Sequence, residues 1–188
     1  MIDWRAALLV ALLAAGSPAR GQSPGAADVA PPLRPAVGAY RAGDLATAEA
    51  GLRALAPGNP DAEAWLGVVL LDRGQQRDGL RAIQRAADAG SAEGNHRLAL
   101  VYALGLAGQQ RNEARAAELF EKAARAGHTR AQINLGILYL RGQGVPLDVV
   151  TARSWLEKAA ASGDPQAMYT LGRGSARASA SSATSRRR

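Results

Sequence analysis

Few side chains in this 188-residue chain could do chemistry, and their spacing argues against most of the chemistry they could do. A histidine metal site needs two or three N, O or S donors that converge on one ion. The chain has two histidines, His96 and His128. They lie more than thirty residues apart, with no second histidine or carboxylate read at ligand spacing from either, so both are taken as structural and no metal or cofactor is expected. Gly142-x-Gly144 resembles a fragment of a phosphate-binding loop, but it sits between two helical patterns instead of following a strand. A turn is the reading it supports. Asp61 with Glu63, and Glu118 with Glu121, stand among Arg and Lys at three- or four-residue spacing, as solvated ion-pair faces do. Serines cluster only near the C-terminus, far from any histidine that could activate a hydroxyl. With no cysteine in the chain, thiolate nucleophiles, thiolate metal sites and disulfides are excluded. Trp65 and Trp155 fall at core spacing on helices and are read as packing residues. No acid, base or nucleophile cluster emerges, so the chain is read as non-enzymatic.

The elements around these residues read as helices. Aromatics make up only 4% of the chain and alanine is abundant, which suits close-packed helices better than strands. The net charge of +7 is unevenly placed. Residues 36–172 hold 15 basic and 14 acidic side chains, a net of +1, while Arg173, Arg177, Arg186, Arg187 and Arg188 add five. The folded part is therefore nearly neutral, and the basic excess sits in the tail.

At the N-terminus, Arg5 precedes ten apolar residues, Ala6 to Ala15, and then the small-residue stretch Gly16 to Gly21. This is the layout of a secretory signal, with cleavage expected after Gly21. Ten helical residues span about 15 Å, half of a bilayer's hydrocarbon core, so no stable membrane span is expected once the signal is cleaved. Residues 22–35, rich in Pro, Ala and Gly without helical period, read as an unstructured spacer. The expected location is the periplasm or the extracellular medium.

A repeat carries most of the information. Gly58, Gly90, Gly127 and Gly163 recur at steps of 32, 37 and 36 residues, which is the period of stacked helical hairpins. Asn59, Ser91, His128 and Asp164 follow them directly, with Pro60 and Pro165 next in two cases. Glycine ends one helix and the following residue caps the next. Further columns are Leu66-Gly67, Leu98-Ala99, Leu135-Gly136 and Leu171-Gly172, then Leu70, Tyr102 and Tyr139. A small residue there lets two helices approach closely, so Gly136→Leu is expected to overpack the hairpin while Gly108→Ala costs much less. In the linker Gly142 to Asp148, the glycines permit positive φ and Asp148 caps the second helix.

The unit Ala131 to Gly163 resembles the Sel-one-like repeat, a relative of the tetratricopeptide repeat. The match falls on Ala131, Leu135, Gly136, Tyr139, Gly142, Gly144, Val145, Asp148, Ala152, Trp155, Lys158, Ala159, Ala160 and Gly163. Gly94 to Gly127 is a looser copy and Ala62 to Gly90 a shorter one, so the resemblance covers about Pro35 to Gly172. It implies an all-α, right-handed α-solenoid of stacked antiparallel helix pairs over residues 36–172, about four hairpins and a half repeat. It also implies a protein or extended-peptide partner on a concave face lined by the first helix of each pair. Here that face would be Glu93, His96, Arg97, Arg130, Ile133, Asn134, Ile137 and Tyr169.

The half repeat stops at Gly172, where Ser175 stands in the tyrosine column and an Arg/Ser/Ala-rich tail, residues 173–188, replaces the second helix. Three readings stay open: a stub covered by a partner or second copy, a tail folded over it, or a truncated or frameshifted reading frame. The leading function is an exported scaffold that assembles other proteins. The alternatives are binding of envelope glycan or polyanion through the basic tail, and an envelope enzyme. Specific nucleic-acid recognition is not expected, because the tail has no aromatic residue to stack on bases.

Overall fold

The computed structural model describes residues 29–172, and every regular element among them is helical. A 3-10 turn, Pro31–Leu33, leads into α1 (Arg34–Arg41), α2 (Leu45–Leu55), α3 (Pro60–Asp72) and α4 (Gln76–Asp88). The chain continues through α5 (Ala92–Leu104), α6 (Glu113–Arg125), α7 (Thr129–Arg141) and α8 (Val149–Ala160). Residues 165–172 are again helical. Four helix pairs and the start of a fifth are what the repeat columns call for. The described residues form two compact units, 29–94 with 106–108 and 95–105 with 109–172. The division falls inside α5, which runs through it as one continuous helix.

The punctuation between pairs acts as its residue types dictate. Gly58, Gly90, Gly127 and Gly163 all have φ between 79° and 87°, the left-handed geometry that closes a helix end. Each residue after them caps the next helix through its side chain. Asn59 accepts from the N–H groups of Asp61 and Ala62, Ser91 from Gly94, His128 from Ala131, and Asp164 from Gln166 and Ala167. Within the pairs, linkers of different length return to one carbonyl column. The N–H groups of Gln75, Asn112 and Asp148 donate to the carbonyls of Leu70, Tyr102 and Tyr139. Linker length can therefore vary without shifting the register of the helices it joins.

In the first unit, Val29, Leu33, Ala36 and Val37 are buried together with Leu52, Trp65, Leu66, Val69 and Leu70. This corrects the expected spacer. Val29, ahead of the 3-10 turn, and Leu33, at its end, are both buried in one cluster with Ala36 and Val37 of α1, so residues 29–35 belong to the folded part. Tyr40 meets Trp65 edge to face at 5.8 Å and donates its hydroxyl to Asp72. Gly67 of α3 lies against α4 so closely that a Cβ would come within 2.7 Å of the Gly79 carbonyl oxygen.

In the second unit, Ile133, Leu156, Ala159 and Ala167 form a buried cluster, with Ile137, Leu140 and Leu171 packed against it. Leu98, Leu135 and Leu156 are all buried, as the columns require. Gly144 has φ +70°, and a Cβ there would collide with the backbone of Glu113 at the start of α6. Trp155 departs from expectation. It is half-buried, with the Lys158 ammonium 4.2 Å from its ring centroid, so it packs beneath a cation instead of inside the core. No helix among the described residues is long and apolar enough to cross a membrane. The signal segment, residues 22–28 of the spacer and the tail 173–188 lie outside the described residues.

Candidate functional site

Two groups of residues could act on something outside the chain: the surface of the first helices, and the histidines. The expected partner face divides according to burial. Arg97, Arg130, Asn134 and Ile137 are half-buried on α5 and α7, Glu93 is half-buried near the start of α5, and Tyr169 is 63% exposed. His96 and Ile133 are core residues, at 3% and 2% exposure, which removes both from a contact surface.

The repeat register gives the reason. Each stands five residues after its cap, His96 after Ser91 and Ile133 after His128, and Ala64, five after Asn59, is fully buried as well. That column faces inward. Tyr169 occupies it in the half repeat, five residues after Asp164, where it remains open to solvent. Met168 beside it is 51% exposed, so an aromatic ring and a thioether present apolar surface together.

The histidines, kept apart by the sequence reading, are brought together. The rings of His96 and His128 stack with centroids 4.4 Å apart and planes 23° from parallel. Phe120 lies 5.8 Å from the His96 ring. Asn134 Nδ2 is 3.4 Å from His96 Nε2. His128 Nδ1 accepts from the Ala131 N–H as the helix cap, which places that ring's proton on Nε2. Glu93 stands one turn before His96 on the same helix.

This corrects the expectation of no ligand spacing. Glu93-x-x-His96 was itself a signal, since an i,i+3 pair shares one helix face. His128 was not legible in the same way, because its approach depends on how consecutive pairs stack. Elsewhere, Gly142 and Gly144 form the helix-to-helix turn expected of them, both with positive φ. The carboxylates of Glu63, Glu118 and Glu121 pair with Arg85, Arg115 and Arg125 on the surface.

Comparison with known proteins agrees with the helix pairing. The Sel1 repeat model matches residues 60–91, 92–128 and 129–164, which correspond to α3–α4, α5–α6 and α7–α8 with their caps. The chain is 35% identical over 101 residues to the ERAD-associated E3 ubiquitin-protein ligase component HRD3B of Arabidopsis thaliana. That match covers 53% of this chain but only 16% of the plant protein. Among solved structures, a Sel1 repeat protein from Oxalobacter formigenes superposes with a TM-score of 0.58 at 32% identity, over 64% of this chain and 94% of that one. The protective antigen c5321 of uropathogenic Escherichia coli, which displays an SLR fold, gives 0.63 at 23% identity, over 70% of this chain and 29% of that one. The fold is thus the all-helical solenoid of such repeats. Sel1 repeats typically mediate protein–protein interactions and are generally non-catalytic. With three consecutive repeats over more than half its length, this chain belongs to the Sel1 repeat family.

Proposed function

We propose that the chain is an exported scaffold that holds an extended segment of a partner protein against the first helices of its pairs. The observation that carries this reading is the surface of α5, α7 and residues 165–172. Arg97, Arg130 and Asn134 offer charge and amide groups there, beside apolar Ile137, Met168 and Tyr169. Such a mixture suits an extended peptide better than a small metabolite enclosed on all sides. Tyr169 is the anchor of choice, with Met168 beside it, because a few large side chains, Tyr among them, carry most of an interface's energy once a partner covers them.

The test uses the full chain expressed in a bacterial host. Loss of residues 1–21, with a periplasmic product beginning at Gln22 by mass spectrometry, is expected; a cytoplasmic product retaining Met1 overturns export. Captured with crosslinker from an envelope extract, a specific protein should be retained by the native chain and lost with Arg97→Glu, Arg130→Glu and Tyr169→Ala combined. Equal retention by that variant overturns the assignment of the face.

A second reading rests on charge. Five arginines lie beyond residue 172, next to a nearly neutral repeat region. Binding to an anionic envelope polymer that disappears in high salt and on removal of residues 173–188 would favour it.

A further inference from the structure

We propose that the open end of the last repeat is a self-association surface, on which the half-repeat helix of a second copy lies where the described residues supply no second helix. Three positions of the repeat register show that this end lacks cover. The close-approach column holds Gly67 and Gly136, where a built Cβ meets Ile83 and Leu156 of the second helix in the pair. Gly172 stands in the same column, and a Cβ there meets nothing within 4 Å. Tyr169 stands in the column that buries Ala64 and Ile133, yet it is 63% exposed. At the linkers, Gly144 lies against the backbone of Glu113, the residue that opens α6. Val149 and Val150 open α8 in the same way, but among the described residues no further linker lies over them, and Val150 is 80% exposed.

The chemistry of this end matches the register. Every large hydrophobic side chain exposed among the described residues belongs to it, namely Leu147, Val149, Val150, Met168 and Tyr169. At the places of Val149 and Val150 the earlier pairs carry Gln76-Arg77 and Glu113-Ala114, so the last pair is apolar where those are mainly polar.

The occupant follows from what could match such a surface. The tail does not, because residues 173–188 contain no Leu, Ile, Val, Met, Phe, Tyr or Trp to set against Tyr169. The opposite end of a second copy does not either, since no large hydrophobic is exposed among residues 29–146. The same end of a second copy does. Apposed about a two-fold axis, each copy's helix 165–172 fills the place of the helix the other lacks, and Gly172 lets the two backbones come close. The five exposed side chains offer roughly 500 Å² per copy, so the contact would bury about 1,000 Å², the lower bound for a specific interface. That size fits a weak, concentration-dependent dimer. The inference does not rest on the peptide-holding reading, although both occupants need Tyr169 and exclude each other there.

The experiment is sedimentation equilibrium of the full chain from micromolar to sub-millimolar concentration. A monomer–dimer equilibrium that stops at the dimer is expected. The arginines after Gly172 repel their copies across the contact, so added salt should strengthen it. Tyr169→Glu and Val150→Asp change exposed side chains, so each should melt within a few degrees of the native chain and weaken dimerisation by about tenfold or more. With no native cysteine, Met168→Cys and Gln76→Cys report the geometry on oxidation. The first should link to itself between copies, and the second, in the first unit, should stay monomeric. A chain that is monomeric throughout, a dimer unchanged in both charged variants, a dimer dissolved by salt, or a mass that grows beyond two copies overturns the two-fold contact.

Discussion

Gly136 on α7 lies so close beneath Leu156 of α8 that a Cβ built on it would stand 2.8 Å from the leucine Cγ and 3.2 Å from the Ala152 carbonyl oxygen. The equivalent Gly67 of α3 is more confined, with the Gly79 carbonyl oxygen at 2.7 Å and Ile83 Cγ1 at 2.6 Å. A leucine side chain can turn away, whereas a carbonyl inside a helix cannot move without breaking its ladder. Gly136→Leu is therefore expected to destabilise by at least ~1–3 kcal/mol, the ordinary cost of overpacking. Among alanine variants, Gly67→Ala should cost more than Gly136→Ala. Thermal melts of the two give the order directly, and equal midpoints would contradict it.

Open space alone does not make a glycine replaceable. Gly108 has nothing within 4 Å of a built Cβ, but its φ is +75°. Alanine there avoids every clash and still meets the left-handed penalty of ~1–2 kcal/mol. The sequence expectation that Gly108→Ala is cheap compared with Gly136→Leu survives as an order, but Gly108→Ala is not neutral. Gly38, inside α1, also has nothing within 4 Å and no positive φ. Gly38→Ala should stabilise by ~0.5–1 kcal/mol by reducing the freedom of the unfolded chain. Denaturant midpoints should move in opposite directions for the two alanine variants.

These glycines also mark how far the sequence can be read. Caps, positive-φ glycines and close-approach glycines are set by chemistry within a few residues, so Gly58, Asn59, Gly136 and Asp148 were legible one by one. Leu98, Leu135 and Leu156 followed from periodicity. Burial of His96 and Ile133 did not, because a solenoid's inner column is decided by the next hairpin, several turns away in sequence. Val29 and Leu33 were missed for a different reason. The Pro-rich composition around them masks an i,i+4 apolar pair too short to show a period.

Asp148 gives stability a dependence on acid. The hydroxyl of Thr151, then the backbone N–H groups of Thr151 and Val150, favour its ionised form and hold its pKa below the ordinary 3.8. A carboxyl with a lowered folded pKa contributes stability that is complete above its unfolded value and lost as pH falls through the folded one. Asp148→Asn keeps a cap acceptor but has no titration. Its melting temperature should therefore fall less steeply than that of the native chain below pH 3.8. Parallel curves for the two proteins would mean the cap carries no proton linkage. Asp44, held by Thr47 in the same manner, should respond in the same direction.

Glu49 joins α2 to the end of α3. Its side chain is only 6% exposed and takes the guanidinium of Arg73, from the α3 C-cap, together with that of Arg53 one turn along its own helix at 2.7 Å. The two arginines are not equivalent. Arg53 is 60% exposed and makes an i,i+4 pair of the kind worth ~0.3–0.5 kcal/mol, because solvent screens it and a long side chain must be ordered. Arg73 bridges separate helices through a buried carboxylate, where a charge-assisted hydrogen bond is worth ~1.5–3 kcal/mol before desolvation is subtracted. Glu49→Ala should thus destabilise by ~1–2 kcal/mol, both arginines being free to turn to water. A double-mutant cycle with Arg73→Ala should return the larger coupling, about 1 kcal/mol, and one with Arg53→Ala less than half of it. If the Arg53 coupling equals or exceeds the Arg73 coupling, the carboxylate is serving its own helix, and the α2–α3 junction is held by the apolar packing of Leu52 and Trp65 alone.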